Sequence, residues 1–166
     1  MRRWIGAGVI CGVLAITLAL APLRSVLEVA DANIGRVVLC VEMAEGEEFI
    51  LAFVHSVNKR PVYDTLWVAR DHLVIVKSRF DSFGAGMPES SNDEGTLRRA
   101  ADGWLEWTVN RPVPEVIVRV GRVANHILQI KGRDIPLASL SEPGTPLSLR
   151  IQKGSILAIL KGGCIR

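Results

Sequence analysis

From about residue 36 onward, apolar and polar positions alternate in short runs rich in Val, Ile and Leu, and each run ends at Gly, Pro, Asn or Asp. A period of two marks half-buried strands. It predicts strands near Arg36–Met43, Glu48–Val57, Val62–Ala69, His72–Phe80, Trp104–Val109, Glu115–Val120, His126–Lys131, Leu147–Gln152 and Ile156–Leu160. No long stretch carries the helical period. Short strands spaced 8 to 12 residues apart predict an all-β fold, a single antiparallel β-sandwich or partly open barrel of about nine strands. Pro112, Pro114, Pro136, Pro143 and Pro146 fall between the runs, where a missing N–H does no harm. One connection, residues 81–103, is long and lacks the strand pattern. Connections of that length are functional or disordered. Its first part, Gly84-Ala85-Gly86-Met87-Pro88, has the residues of an ordered turn, whereas Ser90–Gly95 has the polarity of solvated chain.

Ahead of the strands lie twenty uncharged residues, Trp4–Leu23, between Arg3 and Arg24, enough to span a bilayer core as a helix. The domain division is therefore a signal peptide or signal anchor over 1–24 and an extracytoplasmic β domain over 25–166. Arg2 and Arg3 before the run, against Arg24 after it, keep the N-terminus in the cytoplasm and send the rest across. The expected location is the periplasmic side of the inner membrane, anchored or secreted. Small-residue cleavage patterns occur at Ala19-Leu20-Ala21 and Ala30-Asp31-Ala32, but Pro22 follows the first and the second is far from the apolar run. A retained anchor is favoured. Cys11 lies inside the run behind Ile10, which is unlike a lipoprotein site.

Composition narrows the function classes. The chain has 166 residues, 49% hydrophobic and 22% charged, the balance of one folded domain. Its excess of positive charge belongs to the leader: residues 25–166 carry seventeen basic and seventeen acidic side chains. A neutral domain offers no broad basic surface, so nucleic acid is not an expected partner. Cys40 and Cys164 leave two states open, a disulfide suited to an oxidising compartment and a pair of buried thiols.

The most specific stretch is Phe53-Val54-His55-Ser56-Val57-Asn58-Lys59-Arg60-Pro61-Val62-Tyr63-Asp64, read as a hairpin with a four-residue loop at Asn58–Pro61. If Val57 opposes Val62, then Ser56 opposes Tyr63, and His55 opposes Asp64 on one sheet face. Such a pair would fix the imidazole tautomer, for catalysis or for core structure. His55 and Ser56 point to opposite faces, so this His cannot serve this Ser as a base. No Gly-x-Ser-x-Gly elbow is present. His55, His72 and His126 are isolated, which argues against a metal site, and Gly84-Ala85-Gly86 lacks the remainder of any nucleotide loop. No cofactor is expected. Trp104 and Trp107 face opposite sides, one as core and the other as a rim or interface residue.

His55-Ser56-Val57 with Pro61-Val62-Tyr63-Asp64, then Phe80-Asp81-Ser82-Phe83-Gly84-Ala85-Gly86-Met87-Pro88, Asp102-Gly103-Trp104 and Ala124-Asn125-His126, following a leader, resembles the bacterial envelope family known as domain of unknown function eighteen-fifty. Asp64 stands where Glu is usual in that pattern and Met87 where Leu is usual. The resemblance implies a transport connection, because members tend to be encoded beside tripartite ATP-independent periplasmic (TRAP) transporters with a soluble binding protein of the TAXI type. It implies no catalytic residues. It marks His55, Ser56, Asp64, Gly84, Ala85, Gly86 and Pro88 as candidate binding residues, and a TRAP permease or TAXI solute-binding protein as the partner. Two rival readings accompany it: a periplasmic enzyme acting through His55 and Asp64, and a purely structural envelope module.

Overall fold

A computed structural model describes residues 20–21, 24–156, 159 and 164–165. The predicted leader thus lies, apart from Leu20, Ala21 and Arg24, outside the described residues. Among the described residues no helix is long and apolar enough to cross a membrane. The domain is all-β, with two antiparallel sheets that share a core. The smaller sheet has the order β2-β1-β11-β8, from β1 (Arg24–Asp31), β2 (Val37–Met43), β8 (Glu115–Arg119) and β11 (Pro146–Gly154). The larger has the order β10-β9-β3-β4-β5-β7-β6, from β3 (Glu48–Val54), β4 (Pro61–Val68), β5 (Leu73–Phe80), β6 (Thr96–Arg99), β7 (Leu105–Val113), β9 (Ile127–Ile130) and β10 (Arg133–Pro136).

The period of two explains both faces. Phe49 and Leu51 of β3, Leu66 and Val68 of β4, Leu73 of β5 and Leu128 and Ile130 of β9 point inward, onto Leu27 and Val29 of β1 and Leu147, Leu149 and Ile151 of β11. The alternate residues of the larger sheet, Ile50, Tyr63, Thr65, Lys77 and Arg79, point out. The larger sheet extends past the smaller one. Its overhang carries a second cluster, Val62, Phe80, Leu105 and Trp107, with Met87 and Leu97 packed against it. Burying these apolar areas is the dominant favourable term in the fold.

Strand bounds match the hydrophobic pattern to within a few residues for eight of the runs, and three strands were not predicted. β1 follows the leader without a break, so its residues read as the leader's exit. β6 lies inside the 81–103 connection and has four residues, and β10 is equally short. The predicted strand at 156–160 is not one where it is described: Ile159 N–H donates to the Ser155 carbonyl at 3.0 Å, the bond of a helical turn. Cys40 and Cys164 form a disulfide, with Cα atoms 4.6 Å apart. Beside it, Ile165 pairs in parallel with the free side of β2, its N–H donating to Cys40 O and its carbonyl accepting from Glu42 N–H. The C-terminus therefore covers an edge strand that would otherwise expose a row of unpaired backbone groups.

Candidate functional site

The β3–β4 hairpin differs from its predicted register. Val54 opposes Pro61, Phe53 opposes Val62 and Leu51 opposes Asp64. Every pairing is shifted by four positions, because the turn forms two residues earlier than expected. His55 N–H donates to Arg60 O and Lys59 N–H to His55 O, while the His55 Nδ1 accepts from the amides of Val57 and Asn58 at 3.2 and 3.4 Å. Lys59 takes a left-handed conformation, φ 58°, and Asn58 Oδ1 caps Arg60 N–H. The side chains of His55 and Asn58, which accept from backbone amides of the turn, win residues 55–59 for the turn over the strand. The shift keeps parity, so Asp64 stays on the inner face as expected. His55, however, lies four residues beyond Asp64's partner, roughly 13 Å along the strand. The predicted His55–Asp64 pair does not exist, and the imidazole instead organises the turn.

The hairpin loop does meet the glycine loop. The Arg60 guanidinium is paired with the Asp81 carboxylate, and Asn58 Nδ2 donates to Phe83 O at 3.2 Å. Gly84 allows this approach, since a Cβ there would sit 2.6 Å from Asn58 Nδ2. Gly86 adopts φ 80°, a region open to glycine at little cost, and Met87 N–H donates to Gly84 O, closing the turn. Met87 then anchors the loop on the second core cluster. His55, Ser56, Gly84, Ala85, Gly86 and Pro88 thus fall at one end of the larger sheet, and Asp64 does not join them.

Asp64 lies deeper on the inner face, where Ser78 Oγ donates to its Oδ1 at 2.5 Å. Burial pushes its carboxyl above the ordinary aspartate value, and the Ser78 bond opposes that rise. The pair lines a cavity of about 370 Å³ with Trp107, Arg111 and Glu94. Glu94 belongs to the stretch expected to be solvated; Ser90–Glu94 are exposed as expected, but they form an ordered turn that meets the sheet at Gly95. Asn92 Oδ1 accepts from the amides of Glu94 and Gly95, Ser91 Oγ accepts from Leu97 N–H, and Gly95 abuts Trp107.

The loops at this end share a further property. Val57 and Phe83 are exposed at 65% and 44%, and Val123 of the β8–β9 connection at 60%. That connection is tied to the hairpin by Val54 N–H donating to Ala124 O and by the tilted contact of Phe53 with His126. Its His126 is half-buried, and burial lowers its pKa. Because Asp31 opposes Leu147 and Leu147 opposes Val118, the β1–β2 connection lies at the same end, with Ile34 at 68% and Val37 at 47%. Five of the nine large apolar side chains exposed among the described residues lie on the connections at this end or at the strand start beside them. The same connections carry Lys59, Arg36 and Arg122, and Arg60 in its pair with Asp81. No alternating pattern could have placed this surface, because it is assembled from four connections.

On the outer face, Trp104 and Tyr63 meet at 5.7 Å, the Arg79 guanidinium lies 5.2 Å from the Trp104 ring, and Asp102 pairs with Arg79. Trp107 is core and Trp104 is rim, as the alternation predicted. Glu106 is buried beside them, where the hydrogen bond from Lys77, 2.7 Å away, holds its carboxyl below the usual range against the opposing effect of burial. Among the described residues no cluster of three His, Cys, Asp or Glu side chains is placed to hold a metal ion.

The molecule is thus a disulfide-stapled, two-sheet β protein whose motif residues build a loop surface. The chain belongs to the family described as a domain of unknown function, DUF1850, whose model matches residues 49–137. The match spans the larger sheet and its loops, together with β8. It leaves β1, β2, β11 and the disulfide outside. No curated protein and no solved structure matches the chain.

Proposed function

We propose that this protein is an extracytoplasmic accessory component of a TAXI-type TRAP solute transporter, docking through its loop end onto the permease or the solute-binding protein. The observation that carries the reading is the gathering of Ile34, Val37, Val57, Phe83 and Val123 at the end where the two motif loops brace each other. Exposed apolar groups ringed by polar ones mark interaction surfaces. The basic side chains among them fit a partner whose apolar patch has an acidic rim. The disulfide supports an oxidising compartment, and the separation of His55 from Asp64 favours binding over the enzyme reading. The transporter itself comes from the family resemblance.

Pull-down from native membranes through a C-terminal tag tests the proposal, comparing wild type with Val57→Asp and Phe83→Asp. Both positions are exposed, with Phe83 also edge-on to Phe80, and a melting curve establishes that each variant is folded. Wild type is expected to bring down a TRAP permease or TAXI binding protein, and each variant to lose it. Retention of the partner by both variants refutes the loop end as the interface, and absence of both partners from wild type refutes the accessory role.

A further inference from the structure

The outer face of the larger sheet carries a groove of about 590 Å³, lined by Glu48, Ile50, Tyr63, Thr65, Lys77, Arg79, Trp104 and Gln129. Cross-strand register sets its plan. Lys77, Thr65, Ile50 and Gln129 form one row across β5, β4, β3 and β9, and Arg79, Tyr63, Ala52 and Ile127 form the next. Ala52 and Thr65 are only 8% exposed, although they sit on the face turned away from the smaller sheet, because the longer side chains around them rise as walls. The walls differ in charge. On β5, Lys77 and Arg79 are held from behind by Glu106 and Asp102. An ammonium has three donors and a guanidinium five, so both keep donors for a ligand. On β3, Glu48 is exposed and has no ion-pair partner among the described residues.

We infer that this groove binds a small dipolar organic molecule, its carboxylate on Lys77 and Arg79, its apolar body over Ile50 and Ala52 beside Tyr63 and Trp104, and its cationic group on Glu48. The inference is independent of the docking function proposed above. Size supports it. β5 and β3 are two strand spacings apart, about 9.6 Å, and Glu48 lies two residues, about 6.8 Å, along β3 from the Lys77 row. The two positions are therefore about 12 Å apart across the groove. That backbone span, with the Lys77 and Glu48 side chains reaching over it, suits a ligand whose opposite charges are separated by a short alkyl chain. A purely anionic ligand would leave Glu48 facing it, and a purely cationic one would meet Lys77 and Arg79, so the paired walls select against both.

Calorimetric titration of the full-length protein in detergent tests this with three probes of one chain length: 6-aminohexanoate, hexanoate and hexylamine. Binding of 6-aminohexanoate at least about tenfold tighter than either of the others is expected. Glu48→Gln should remove its advantage over hexanoate, and Arg79→Gln should shrink its advantage over hexylamine, with a melting curve confirming that each variant is folded. Equal affinity for the three probes, tighter binding of hexanoate or hexylamine, or no heat from 6-aminohexanoate up to roughly 10 mM overturns the inference. Unchanged 6-aminohexanoate affinity in Glu48→Gln overturns it as well, since that substitution disturbs no other contact.

Discussion

Replacing Cys164 by Ser removes a bridge that closes a span of 124 residues. Loop entropy lost by the unfolded chain scales with the logarithm of that span and amounts to about 5 kcal/mol at 25 °C. The C-terminus would also lose its hold on β2, where Ile165 makes two backbone hydrogen bonds and packs on the core. For a domain of this size each kcal/mol moves the melting midpoint by roughly 2–4 °C, so the expected fall is about 10–20 °C. Circular dichroism melts of wild type, wild type with reductant and Cys164→Ser measure it, and the last two should coincide because both break the same link. A fall below about 5 °C in both would refute the reasoning. It would mean that the unfolded chain is already compact or that the bridge does not form.

Three further outcomes follow from the site geometry. Burial raises the Asp64 carboxyl above its ordinary 3.8, so the folded state keeps a proton the unfolded chain has released, and stability falls as pH rises from 3.8 through the folded value. Asp64→Asn should remove that slope, its melting advantage over wild type growing as pH rises above 3.8; a difference independent of pH would contradict it. His126 has the opposite sign: burial lowers its pKa from 6.5, so the unfolded chain takes up the proton first and stability is lost as pH falls from 6.5 to the folded value. His126→Phe keeps a ring against Phe53 and should flatten denaturant midpoints across that range, whereas an unchanged slope would assign the acid sensitivity elsewhere. At Gly95 an added Cβ would lie 2.6 Å from the Thr108 carbonyl oxygen and 2.8 Å from the Trp107 ring. Gly95→Ala should therefore cost about 1–3 kcal/mol in denaturant unfolding, and a neutral effect would show that Gly95 does not pack on the sheet.

What was legible in the sequence is what periodicity encodes. The alternation in Phe49-Ile50-Leu51 and Val62–Val68 assigned residues to faces correctly, and it placed Asp64 inside and Trp104 opposite Trp107. The hairpin register was not legible, because His55–Val57 continues the strand pattern while the His55 and Asn58 side chains bond the turn's own amides. β1 was hidden by its junction with the apolar leader. β6 and β10, at four residues each, are too short for alternation to rise above the surrounding loop. The disulfide was open on spacing alone, since pairing depends on bringing residue 164 back to β2. The loop end and the outer groove were illegible for the same reason: each joins residues far apart in sequence, and only the strand order places Val57 near Phe83, or Glu48 across from Lys77.

The loop end is the centre of the functional account, and a site-specific photo-crosslinker tests it most directly. Placed at Phe83 and, as a control, at Trp67, which is exposed and pairs with Glu48 at the end of β4 opposite the hairpin turn, it would be activated in native membranes and its adducts identified by mass spectrometry. The account predicts an adduct with the TRAP permease or the TAXI binding protein from position 83 and none from position 67. Equal labelling from both positions, or the transporter partner from position 67 alone, would contradict it.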